Sequence, residues 1–140
     1  MKKLIIAGCL VLQAFLPACI NAEEVKSENA IDAARNFIQS ALNGDFDKAA
    51  TFMVDDSLNR QDLEMIKRMS RNLPAEEKEK YKEASIRVHQ TRVINDSASV
   101  IYYSNSYKNK KDSLKVVHLN GQWLVDFKYI FQQGIDSLLP

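Results

Sequence analysis

The sequence predicts an α+β fold, with helices packed on the concave face of a curved, mainly four-stranded antiparallel sheet. Three observations carry that expectation. Apolar residues recur three and four apart from residue 29 to about residue 73. After Ala84 the pattern changes to alternating β-branched and aromatic residues. Turn residues then cut that stretch into four pieces with short connections, which makes neighbouring strands antiparallel.

The first helix is expected over 29–42, where Ile31, Ala34, Phe37, Ile38, Ala41 and Leu42 form one stripe. Asn29 can cap it, Asp32 suits its first turn, and Asn43-Gly44 supplies a left-handed stop. A second helix follows, capped by Asp45 or Asp47, with Phe46, Ala49, Ala50, Phe52 and Met53 as its apolar side. Asp55-Asp56-Ser57 should break it. That acidic pair could hold a cation loosely, but a helix-ending turn accounts for it without an ion. A third helix is expected over 61–72, with Leu63, Ile66, Met69 and Leu73 on one side and Arg60, Lys67, Arg68 and Arg71 as a solvated basic face. Pro74 permits a new start, and 75–83 reads as an exposed helix or extended turn supported by Glu76 and Lys80.

Strands are expected over 85–94, 97–107, 113–119 and 122–130, separated by Asn95-Asp96, by Lys108 to Asp112, and by Asn120-Gly121. Asn-Gly favours a type I′ hairpin because both residues accept positive φ. Alternation assigns Ala98, Val100 and Tyr102, Leu114 and Val116, and Trp123, Val125 and Phe127 to one helix-facing set. Ile86 and Val88 have one parity and Val93 the other, so burying all three requires a bulge near Gln90.

Residues 1–22 read as an export signal: Lys2-Lys3 starts it, and Leu4 to Leu16 is an apolar run too short to span a bilayer. Two ends are open. Leu16-Pro17-Ala18-Cys19 resembles a bacterial lipobox, which would place a lipid on Cys19 and hold the protein on an envelope membrane. Ile20-Asn21-Ala22 offers ordinary cleavage before Glu23, which would give a periplasmic or secreted product. Residues 23–28 form a linker, 29–131 one domain, and 132–140 an apolar tail with Ile135, Leu138 and Leu139. Both cysteines, Cys9 and Cys19, lie in or beside the signal, so the domain is built without a disulfide.

Charge excludes one class of partner. The chain has 19 Lys+Arg and 18 Asp+Glu; without residues 1–22 it loses Lys2 and Lys3, leaving 17 against 18 and a net charge of −1. A nucleic-acid binder needs a basic excess, so no nucleic acid is expected.

The element order, together with Ala41-Leu42-Asn43-Gly44-Asp45-Phe46-Asp47-Lys48-Ala49 and Asn120-Gly121-Gln122-Trp123, resembles the nuclear-transport-factor-like or SnoaL-like (cystatin-like) superfamily. Within it the chain most resembles uncharacterised bacterial lipoprotein domains of unknown function, over about residues 28–130. The resemblance implies a concave face suited to a pocket. Its implied activities range from isomerases and dehydratases to binding and assembly modules.

Such enzymes place a carboxylate, His or Tyr in the pocket, where burial tunes the pKa. Here His89 should point to solvent, His118 should sit at a strand end, and Asp126 should face away from the apolar set. The expected pocket residues are Tyr102, Trp123 and Phe127; the Tyr102 ring should face inward with its hydroxyl seeking a partner, and an enzyme would use it with a second group the sequence does not reveal. The sequence has no metal-ligand spacing, phosphate loop or nucleophile elbow, so no cofactor, metal or catalytic residue is assigned. The expected function is a non-catalytic exported domain that binds a small ligand or protein partner. The alternatives are a small isomerase-like or hydrolase-like pocket enzyme, or an inhibitor or immunity-type protein.

Overall fold

A computed structural model describes residues 26–130. The fold is α+β, with helices α1 (Ala30–Leu42), α2 (Phe46–Thr51), α3 (Ser57–Arg71) and α4 (Ala75–Lys82) preceding strands β1 (Ile86–Asn95), β2 (Ala98–Asn105), β3 (Asp112–Leu119) and β4 (Gln122–Asp126). The strands form an open antiparallel meander in the order β1-β2-β3-β4. Helix α1 lies against all four strands. Its Ala33, Ala34, Phe37 and Ile38 are buried with Ile101, Leu114, Val116 and Val125 of the sheet. The expected export signal, the lipidation position Cys19, residue 131 and the tail 132–140 lie outside the described residues. Of the expected linker, Ser27 is buried and accepts a hydrogen bond from Asn36 of α1 at 3.2 Å, so the domain starts slightly before the helix.

Local chemistry sets the helix ends. Asn29 Oδ1 accepts the Asp32 amide at 3.0 Å and Asp45 Oδ1 the Lys48 amide at 3.0 Å, which satisfies amides the first turn leaves unpaired. Gly44 has φ +77° and ends α1 as expected. Helix α3 begins at Ser57 rather than residue 61, because Asp56 caps it by accepting the Asn59 amide at 2.9 Å. The apolar stripe starts only at Leu63, so periodicity alone hides the polar first turn.

The sheet corrects one assignment of faces. Ile101 stands opposite Leu114, and Ile101 and Leu114 are both fully buried in the core under the helices. Ala98, Val100 and Tyr102 therefore lie on the opposite face, with Tyr102 between Gln90 and Ser113. Both parities of β2 are apolar, so its own alternation cannot choose between them. The six residues from Ser106 to Lys111 that lead to β3 also leave the register free, whereas the Asn120-Gly121 hairpin fixes Leu119 opposite Gln122. Asn120 and Gly121 have φ of 50° and 78°, as a type I′ turn requires.

A register shift between Val88 and Gln90 places the bulge where expected. It does not bury Val93, which is 69% exposed. Strand β4 ends at Asp126, shorter than the expected 122–130, and residues 128–130 turn helical. The reason is a tertiary bond: the Lys128 amide donates to Asn59 Oδ1 of α3 at 2.7 Å. Along the outer edge of β4, Val125 N donates to Phe52 O at 2.8 Å and Val54 N to Val125 O at 2.9 Å. These bonds cover an edge that would otherwise be free to pair with another chain.

Candidate functional site

A cleft of about 770 Å³ opens between the second half of α1, helices α3 and α4, and the end of the sheet where β2 stops and β3 starts. Its position follows from helix character. Helix α4 is mostly charged and buries no residue, so it stands beside the core without closing on it. Helix α3 buries only Asn59 and Leu63, both in its first half, and Ile66, Lys67, Met69, Ser70 and Arg71 of its second half line the cleft. The floor is apolar: Phe37, Ile38, Leu63, Ile66 and Phe127 line it, and the Phe37 and Phe127 rings pack with centroids 5.1 Å apart. Met69, 61% exposed, stands at the rim.

Helix α4 is held to the β2–β3 loop by aromatic and charged contacts. Tyr81 meets Tyr107 edge-on at 5.0 Å, and the Lys108 ammonium lies 4.5 Å from the Tyr107 ring centroid. Hydrogen bonding to the Tyr107 hydroxyl, and after it the charge interactions with Tyr107, Tyr81 and Glu77, raise the Lys108 pKa, so the cation persists. Asn105 Oδ1 shapes this loop by accepting the Tyr107 and Lys108 amides at 3.1 and 2.9 Å.

Polar groups are few inside the cleft. Tyr103 lines it beside Asp112, which stands opposite it across the β2–β3 ladder. Burial, and secondarily the Asp112 carboxylate, push the Tyr103 phenol up, so it remains a neutral hydroxyl and not a base. The rim is basic: Lys67, Arg71, Lys78 and Lys82 border the cleft. Lys67 is claimed by Asp47 at 2.7 Å and Glu64 at 3.6 Å, and Lys82 by Glu79 at 2.7 Å. The Lys78 ammonium donates to the Arg71 carbonyl at 2.9 Å.

No family model, curated protein or solved structure matches this chain. Its chemistry is therefore read from its own geometry.

Of the three expected pocket residues, only Phe127 lines the cleft. Tyr102 lies on the far face of the sheet and does not line the cleft. Trp123 is half-buried against the core, its ring 5.0 Å from that of His118, and does not reach the cleft. His118 is exposed at its strand end, and His89 Nε2 lies 2.9 Å from Ser104 Oγ, away from the cleft. Sequence reasoning missed Tyr103, Arg71 and Lys78. The pairing of Ile101 with Leu114 would have found Tyr103, since residues of one parity share a face. Among the described residues no group of three His, Cys, Asp or Glu could hold a metal ion.

A second polar cluster lies on the other side of α3. Asn59, fully buried, donates to Asp56 at 3.0 Å and Asp126 at 3.4 Å and accepts the Lys128 amide. The Lys128 ammonium sits 2.7 Å from Asp56 and 2.8 Å from Asp126, and Lys115 approaches Asp126 at 3.5 Å. The cation that Asp56 attracts is thus Lys128 of the same chain. Every group in the cluster has a partner, which marks it as a fastening between α3 and the end of β4.

Proposed function

We propose that this is a non-catalytic binding domain exported to the cell envelope, which takes a small apolar ligand or an apolar segment of a partner into the cleft. The carrying observation is the cleft itself: an open cavity of about 770 Å³ with an aromatic and aliphatic floor. That size lies within the roughly 300–1,000 Å³ range of small-molecule sites, which are mostly apolar with a few polar groups. Tyr103, the buried phenol among the hydroxyls that line the cleft, is held neutral by its surroundings, which suits a binding role better than proton abstraction. The resemblance to nuclear-transport-factor-like domains, with their concave face, belongs to the same reading.

Export rests on residues 1–22, with attachment through Cys19 or release starting at Glu23. Among the described residues no helix is long and apolar enough to cross a membrane.

Binding is tested with a neutral solvatochromic dye such as Nile red. Saturable fluorescence at one dye per chain is expected, and Ile66→Glu should abolish it by placing a charge on the apolar floor of the cleft. A dye response unaffected by that change would remove the cleft as the site. Mass spectrometry of the protein purified from its producing cells tests export: a start at lipidated Cys19 or at Glu23 supports it, and a retained Met1 overturns it.

A further inference from the structure

We propose that the cleft's ligand is a single-chain anionic amphiphile, a long-chain carboxylate, with its head on Arg71 and Lys78 and its hydrocarbon chain along Phe37, Leu63, Ile66 and Phe127. This rests on the binding reading above and adds the ligand class.

The argument is one of unmatched charge beside apolar surface. Four cations, Lys67, Arg71, Lys78 and Lys82, border the cleft against one carboxylate, Asp112, in a chain whose acids and bases nearly balance. Lys67 and Lys82 already have carboxylate partners. Arg71 and Lys78 differ: among the described residues no carboxylate lies within ion-pair distance of either, and the Lys78 bond to the Arg71 carbonyl brings the ammonium close to the Arg71 backbone. Two cations outside ion-pair reach of a carboxylate thus border the same apolar cleft, with Asp47 the acid that feels the Arg71 charge from farther away. An arginine can meet a carboxylate with two parallel hydrogen bonds, and a lysine adds a mobile point charge.

The other ligand classes use only half of this arrangement. A neutral hydrocarbon leaves the cations unmatched, and a cationic amphiphile is repelled by them. A compact multivalent anion would leave the apolar floor uncovered. A carboxylate with one alkyl chain satisfies both halves, and a cavity of about 770 Å³ suits one such molecule.

The test titrates the full chain, as processed by its producing cells, with dodecanoate, dodecanol and dodecyltrimethylammonium below their micelle concentrations. One dodecanoate should bind per chain, at least about tenfold more tightly than dodecanol, and the advantage should shrink with added salt. Each methylene added to the carboxylate should tighten binding by up to about fourfold. The cation should not bind saturably. Arg71→Gln combined with Lys78→Gln should abolish the preference for acid over alcohol while dodecanol binds as before; both side chains are at the rim, and an unchanged denaturation midpoint verifies the fold.

Equal affinity for acid and alcohol, or a preference that survives the double substitution, overturns the carboxylate assignment and leaves cleft binding standing. Failure of all three ligands to bind either the native chain or a Leu138→Asp, Leu139→Asp variant overturns cleft binding as well. If that variant alone binds dodecanoate, the occupant is the chain's own segment 131–140, which carries Leu138, Leu139 and Asp136, and the proposal fails.

Discussion

Helix α3 has two contrasting surroundings. At its start, Asn59, Asp56, Asp126 and Lys128 form a closed polar fastening in which each side chain bonds another and no buried polar atom is left without a partner. Toward its end, the same helix borders an apolar cleft with four rim cations, of which Lys67 and Lys82 are ion-paired and Arg71 and Lys78 are not. The difference separates structure from availability. A satisfied buried network has nothing left to offer a ligand, whereas apolar surface left open beside unmatched charge is costly unless something covers it. Substitutions at the first site should therefore appear in stability, and those at the second in binding.

The largest effect is expected at Asn59. Its side chain is fully buried and makes three bonds, one of them to a backbone amide, so Asn59→Ala leaves the Lys128 N–H and two carboxylates short of partners. A loss of about 3 kcal/mol is expected, the scale for orphaning buried polar groups. Urea denaturation measures it. A loss below about 1 kcal/mol would mean that the fastening is replaceable by water.

Lys128 comes next. Lys128→Met removes the shared partner of Asp56 and Asp126 and should cost about 1 kcal/mol, because Asp56 is 36% exposed and solvent screens its share. The pH profile sharpens this. The Asn59 amide, and after it the Lys128 ammonium, hold Asp56 below its ordinary pKa. A depressed carboxylate stabilises the fold above its unfolded pKa of about 4, and this contribution is lost as the pH falls through the lower folded value. Asp126 first, and then Asp56, raise the Lys128 pKa, so its contribution is fully present below the unfolded value of about 10.4 and is lost as the pH rises from there through the higher folded value. Asp62 runs the other way, since burial and then the Asp56 charge raise its pKa; its ionisation opposes folding, and that cost is relieved as acid protonates it. Native protein should hold a stability plateau between about pH 5 and 9 and decline on both sides. In Lys128→Met the alkaline decline should shrink. An unchanged alkaline limb in thermal melts would remove Lys128 from the account.

How much of this was legible depended on whether a signal was local. Asn29, Asp45, Gly44 and the Asn120-Gly121 turn act within a few residues, and each does what its side chain or backbone freedom dictates. The position of Phe127 by the cleft followed from the sequence as well. Tyr102 did not, because choosing between two apolar parities requires knowing which residue of β3 lies opposite, across a loop that sets no register. The fastening was unreadable for a related reason: Asn59 and Lys128 are 69 positions apart, and nothing near either residue announces the other. The basic face of α3 was read as solvated, and Arg60 with Asp55 fits that, but Arg71 acquires its setting only when α4 folds beside it.

Gly44 borders the cleft yet should behave as a structural position. An added Cβ would meet nothing within 4 Å, so Gly44→Ala suffers only the backbone strain of φ +77°. A loss of about 1 kcal/mol is expected, with dye binding unchanged. Weakened dye binding at full stability would show that the turn also shapes the cleft.

The smallest stability effect, and the sharpest separation of the two sites, is expected at Met69. This side chain lies at the cleft rim and is 61% exposed, so folding gains little from it. Met69→Ser should change stability by no more than about 0.5 kcal/mol, the usual range for a surface substitution. It nonetheless removes a flexible thioether from the edge where an apolar ligand would enter, and such side chains cover ligands that the rest of a site leaves partly open. Nile red affinity should fall about threefold to tenfold, corresponding to roughly one methylene or two of lost burial. The two measurements together are decisive. A stability loss as large as that of Gly44→Ala would place Met69 in the core, whereas unchanged stability and unchanged affinity would confine the site to the floor formed by Phe37, Ile66 and Phe127.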